Sequence, residues 1–251
     1  MSPLPVFDDR LLQDFMNGFY GYGKYSSDYW FVGMEEGGGN SFENIDQRLQ
    51  DWNHRNRLEL EDIVDYHAKI GAEQYFGIHP KLQPTWNRLI RIALSAQGQD
   101  IIHKERVREY QQKYLGRHDS NNCLVELLPL PSPSLGHWLY AQYSNLPCLK
   151  NREAYMTCYA QRRATHLQQR IQEFKPKAVI FYSVNPAYIS WWKSIAGIEF
   201  NEQFIVGDRM YIGKNEQTVF AIVRHPVARG VKNEYFHQVG KIIVGVASVL
   251  S

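Results

Sequence analysis

The residues best suited to chemistry fall in two short loops. In the first, Gly33-Met-Glu-Glu-Gly-Gly-Gly39, two carboxylates, Glu35 and Glu36, stand directly before three consecutive glycines. Glycine lets a backbone approach a ligand closely or take positive φ angles, so this loop suits binding beside a pair of acids. It has neither the spaced glycines of a dinucleotide fold nor the Gly-Lys-Ser/Thr ending of a phosphate loop. Paired glutamates also oppose bound phosphate. In the second loop, Arg224-His-Pro-Val-Ala-Arg-Gly230, His225 is followed by a proline and flanked by two arginines. A histidine held this way can donate a hydrogen bond into a crevice. Each loop taken alone also fits a plain turn, with solvated glutamates in one and a capping histidine in the other.

The elements around these loops follow from hydrophobic pattern. Short apolar runs at Tyr29 to Gly33, Cys123 to Leu128, Ala178 to Tyr182 and Val219 to Val223 read as buried parallel strands. Between them, Phe42, Ile45, Leu49 and Trp52 repeat at helical spacing, as do Trp86, Leu89, Ile90 and Ala93, and Ala154 to Phe174 and Tyr235 to Leu250 continue the helical pattern. Ile205 to Ile212, with Gly207-Asp208 in its middle, reads as a small hairpin. Alternating strand and helix predicts an α/β fold, a three-layer α/β/α domain with a central, mainly parallel four-stranded sheet. One domain over residues 1 to 251 is expected, with a helical insertion at about 43 to 120. In such sheets ligands bind beyond the carboxyl ends of the strands, where both loops fall.

Composition narrows the class. No apolar run approaches the roughly 20 residues of a membrane span, and Met1 to Asp9 lacks a signal peptide's basic start, so a cytoplasmic protein with no membrane partner is expected. Three cysteines, Cys123, Cys148 and Cys158, suit neither a four-cysteine metal site nor a disulfide framework. The nine histidines show no helical metal motif, so neither metal nor cofactor is expected. Charge is uneven although the net is only +2. Asp28 to Asp65 carries ten acidic residues against three basic ones, Lys150 to Lys177 seven basic against two acidic, and Arg224 to Lys241 four against one. The later segments read either as solvated basic helix faces or as a phosphate-facing surface in which Arg224, Arg229 and Lys232 contact nucleic acid.

Four features in order resemble the uracil-DNA glycosylase superfamily: a Gly-x-acid loop after the first strand, a proline-rich end to the second, the third strand "KPKAVIFYS", and a last strand ending in His-Pro. The resemblance covers roughly Tyr29 to Gly39 and Cys123 to Leu250. It implies that Glu35 would orient the attacking water and stabilise the sugar cation, while His225 would hydrogen-bond the base oxygen as charge develops there. It also implies substrate contacts from Gly33, Met34, Glu36, Gly37 and Glu126, with Phe42 as a platform for an extruded base, although helical spacing explains Phe42 equally well as core. Two positions depart from the family. Glu36 replaces a common proline, and Glu126 stands where many members read the base with Asn; an ionised Glu126 only accepts, which would exclude uracil. Glu126 reads equally well as the buried partner of an arginine. The expected partner is DNA or a nucleoside or nucleotide. Two functional readings stand open, an N-glycosidic hydrolase with Glu35 and His225 catalytic, and an inactive binding module of the same fold.

Overall fold

The computed structural model describes residues 5–134 and 136–248. The chain begins with α1 (Asp9–Gly18), β1 (Gly21–Tyr22), β2 (Tyr29–Glu35) and α2 (Phe42–His54). Next come β3 (Leu60–Glu61), α3 (Ile63–Lys69), α4 (Pro84–Ala96), α5 (Lys104–Lys113), β4 (Asn122–Leu128) and α6 (Tyr140–Tyr143). It closes with α7 (Arg152–Phe174), β5 (Ala178–Phe181), α8 (Pro186–Ala196), the hairpin β6 (Asn201–Ile205) and β7 (Asp208–Lys214), β8 (Val219–Ile222) and α9 (Asn233–Ala247). The expected end of the last helix at Leu250 lies outside the described residues.

Among the described residues the sheet has eight strands, in the order β3-β1-β4-β2-β5-β8-β7-β6. The expected four-stranded sheet is therefore only its centre, β4-β2-β5-β8, in which neighbours run parallel. Antiparallel neighbours extend it, β1 beside β4 on one side and the β6-β7 hairpin beside β8 on the other. The hairpin is thus an extension of the sheet, and the tight turn at Val206-Gly207 that forms it takes positive φ at both residues. Successive strand side chains point to opposite faces, and every residue of β5 and β8 is buried, so the centre of the sheet is covered on both sides.

Helix starts follow local chemistry. Ser41 caps α2 by accepting from the Asn44 N–H at 3.2 Å. Pro84 and Pro186 occupy the first turns of α4 and α8, where a missing N–H costs nothing. The segment expected as a helical insertion is built into the molecule: it supplies the edge strand β3 as well as α2 to α5, and α4 packs along α9.

Gly33 is the position on which the centre of the sheet most depends. It pairs with Glu126 across β2 and β4, and a Cβ there would lie 2.1 Å from both the Glu126 Oε2 and the Tyr182 hydroxyl. The space of the missing side chain is filled by that acid and that phenol. Gly33→Ala should destabilise the fold by about 1–3 kcal/mol through overpacking, read as a lowered urea midpoint. An unchanged midpoint would show that Glu126 and Tyr182 are free to move aside.

Candidate functional site

The carboxyl ends of β2, β4, β5 and β8 bring most of the expected residues into one region. Glu126 is the one residue of β4 that is not fully buried. Its Oε1 accepts a 2.6 Å hydrogen bond from the Tyr182 hydroxyl, while its Oε2 is buried without a hydrogen-bond partner. Burial, reinforced by the nearby charges of Glu36 and Glu35, pushes the Glu126 carboxyl up to about 8. Burial therefore favours the uncharged acid at neutral pH, against the expectation of an ionised group that only accepts. The arginine pairing is overturned. Arg163, fully buried, donates to the main-chain carbonyls of Leu127, Glu126 and Met16 at 2.6, 3.0 and 3.1 Å, with its guanidinium over the Tyr20 ring.

Tyr182 links Glu126 to the second loop, since its ring centroid lies 5.9 Å from that of His225. The Val227 N–H donates to His225 Nδ1 at 3.3 Å, which assigns the proton of the neutral ring to Nε2. Burial lowers the His225 value and favours that neutral form. The loop is anchored from α4, whose Arg88 donates to the carbonyls of Pro226 and Val231. His225 is thus a fixed, neutral N–H donor.

Glu35 and Glu36 are held in different ways. Glu35, expected in a loop, is the last residue of β2, and its side chain is only 9% exposed. The Arg152 guanidinium grips both of its oxygens through Nη1, while Nη2 donates to Ser132 Oγ at 2.8 Å and to the Ser134 and His137 carbonyls. The Trp138 ring lies 4.9 Å from the same guanidinium. Burial still pushes Glu35 above its ordinary value, with Arg152 opposing. Glu36 turns to the other side, where Oε1 accepts from the Tyr22 hydroxyl at 2.6 Å and meets Arg48 at 3.0 Å. His67 faces it at 3.9 Å, but burial lowers this imidazole to about 4, so the contact is no ion pair at neutral pH.

The remaining expected residues divide. Met34 is partly buried against the core, and Gly37 is exposed with open space beside it. Phe42 stacks on Phe7 at 4.6 Å and leans on Tyr143 at 5.1 Å, so one ring face is occupied by core packing. Arg224 pairs with Asp208 at 3.3 Å, whereas Arg229 and Lys232 are exposed. Much of the basic run from Lys150 to Lys177 is engaged within the chain: Arg152 by Glu35 and Arg163 by carbonyls in the interior, Arg170 by Glu59 and Glu173 and the exposed Lys177 by Asp28 nearer the surface. Tyr182, Arg152, Arg48 and Arg88 are the functional supports that periodicity passes over; each acts through a partner distant in sequence. No family model matches the chain, and no curated protein matches it.

Two outcomes follow from this geometry. Arg152→Ala strands a largely buried carboxylate and should cost about 3 kcal/mol, while Arg152→Met combined with Glu35→Gln should recover most of the loss. Denaturation of the three proteins checks this, and equal stabilities would mean that the pair contributes nothing. Glu126 keeps its proton in the folded state to about 8. Unfolded, it releases that proton near about pH 4.3, so the native state binds the extra proton between the two values and stability falls as pH rises through that window. Glu126→Gln should flatten that part of the stability profile, and an unchanged slope would show that Glu126 is ionised throughout.

Proposed function

We propose that this protein is a divergent uracil-DNA glycosylase-like protein whose crevice receives a single nucleobase, presented by DNA or as a nucleoside or nucleotide. The observation that supports this reading is Glu126. It is an uncharged acid at a strand end with one oxygen held by Tyr182, the other without a hydrogen-bond partner, and a fixed histidine N–H nearby. A neutral carboxyl donates through one oxygen and accepts through the other, as an amide does; pairing with a lactam edge carrying adjacent C=O and N–H groups requires Oε2, which lies buried against Gly33, to turn toward the ligand. Uracil-like bases thereby return to the candidate ligands that an ionised Glu126 would exclude. Exposed Arg229 and Lys232 are the side chains available for a phosphate backbone beside that crevice.

Hydrolysis of the N-glycosidic bond is the second reading. It is favoured by the arrangement of Glu35 and His225 at the ends of β2 and β8, an acid and a donor in the order the reaction asks for. Against it stands Arg152, whose grip consumes the field of the carboxylate. A water-orienting or cation-stabilising Glu35 requires that guanidinium to shift.

Binding and base release separate the two. Equilibrium binding of free bases and of oligonucleotides carrying deaminated or alkylated bases should weaken as pH rises through about 8, where Glu126 ionises, and should lose that dependence in Glu126→Gln. Binding with no such dependence would remove Glu126 from the site. Scission at abasic sites in the same oligonucleotides reports hydrolysis. If it occurs, His225→Ala should slow it by about 10²-fold with little loss of binding. Silence across the panel with binding retained would leave a base-binding module.

A further inference from the structure

Two of the three cysteines lie against each other on the far side of the Arg152 support. Cys148 is the middle residue of the short 3₁₀ turn Pro147–Leu149 and is partly exposed, while Cys158 is exposed on α7. The chain reverses between them at Asn151, whose side chain caps α7 by accepting from the Ala154 N–H at 2.8 Å. That reversal lays the turn back along the first turns of the helix. The turn packs against α7, and the Cys148 thiol lies beside the Cys158 thiol and the Tyr159 hydroxyl, two consecutive residues of the helix. Cys123 is fully buried in β4 and takes no part.

We propose that Cys148 and Cys158 form a reversible dithiol–disulfide pair, a redox modification site coupled to the support of Arg152. The exposed Cys158 meets oxidants first, and Cys148, shielded beside it, is placed to resolve the product. With a small-molecule disulfide as co-reactant, the Cys158 thiolate attacks one sulfur and releases one thiol. The Cys148 thiolate then attacks the Cys158 sulfur of the mixed disulfide and releases the second thiol. Two electrons and the two thiol protons leave with the co-reactant, which is reduced to two thiols as the protein disulfide forms.

Coupling follows from the neighbouring residue. Leu149, next to Cys148, accepts a 2.8 Å hydrogen bond from the Trp138 indole N–H, and the Trp138 ring supports the Arg152 guanidinium that grips Glu35. A bond that ties the turn to α7 pulls directly on this chain of contacts. The proposal does not depend on what the crevice binds.

The test uses the full chain incubated with glutathione disulfide, alkylated and digested without reduction. A linked Cys148–Cys158 peptide is expected, lost in Cys158→Ser, with a persistent glutathione adduct at Cys158 in Cys148→Ser. Oxidation should also move the Arg152 Nε–H resonance in the wild type and leave it in place in Cys158→Ser. A wild-type protein that carries only a glutathione adduct, forms Cys158–Cys158 dimers or keeps both thiols would overturn the pair. A linked peptide without movement of the Arg152 resonance would overturn the coupling.

Discussion

The hydrogen bond that Tyr182 donates to Glu126 across the bare backbone of Gly33 is the contact around which the strand ends are arranged. Three strands meet in it. β5 ends one residue before Tyr182, β2 passes beneath as Gly33, and β4 supplies Glu126 from the far side. A side chain at Gly33 would occupy the volume of both partners, so a polar pair here requires glycine. The first of the seven residues in the Gly33 to Gly39 loop is thus fixed by packing. The loop's own bends fall later, at Gly38 and Gly39, where φ is +106° and +70°.

Charges near these strand ends are satisfied in two distinct ways, and the difference decides what each can do. Arg163 has no carboxylate among its hydrogen-bond partners; three main-chain carbonyls and an aromatic face hold it, so it fixes the backbone of β4 and opposes the rise of the Glu126 carboxyl only through its nearby charge. Arg152 meets an acid directly and ties the loop after β4 to the end of β2. Arg48 does the same for Glu36 from α2, while the main-chain carbonyl of Glu36 accepts from the Ser132 N–H at 3.0 Å. A proline after Glu35 would stiffen this loop by fixing one φ angle. Here a buried acid anchored to Tyr22 and Arg48 supplies the stiffness instead.

The four central strands and the helices α2, α4, α7 and α9 were legible because burial on both faces leaves continuous apolar runs and amphipathic packing leaves a 3.6-residue period; α8, between β5 and β8, was not read. β1 and β3 were not, because two residues carry no period. The site was half legible. Glu35, Glu126 and His225 were visible as polar residues at or just beyond strand ends, where an apolar run stops. Their partners Arg152, Tyr182 and Arg88 were invisible as such: Arg152 looked like one charge in a basic segment, Tyr182 like the last aromatic of a strand, and Arg88 like a solvated helix residue. Side-chain pairing over such separations leaves no periodic trace. The basic run misled for the same reason, since sequence counts charges without showing which of them face carbonyls and carboxylates inside the fold.

A carboxylate in place of an amide gives up half of its hydrogen-bonding ability, because it has no donor. The surroundings of Glu126 restore it. Burial disfavours the charged form and the negative charges of Glu36 and Glu35 disfavour it further, which outweighs the opposing hydrogen bond from Tyr182 and the charge of Arg163, whose donors are turned to the backbone. The neutral acid presents the same donor and acceptor pair as Asn, with one difference that the amide lacks: the donor is removed by rising pH. Glu36 and Glu126 are therefore linked, since the negative charge at Glu36 helps to keep Glu126 protonated and hence able to donate as well as accept.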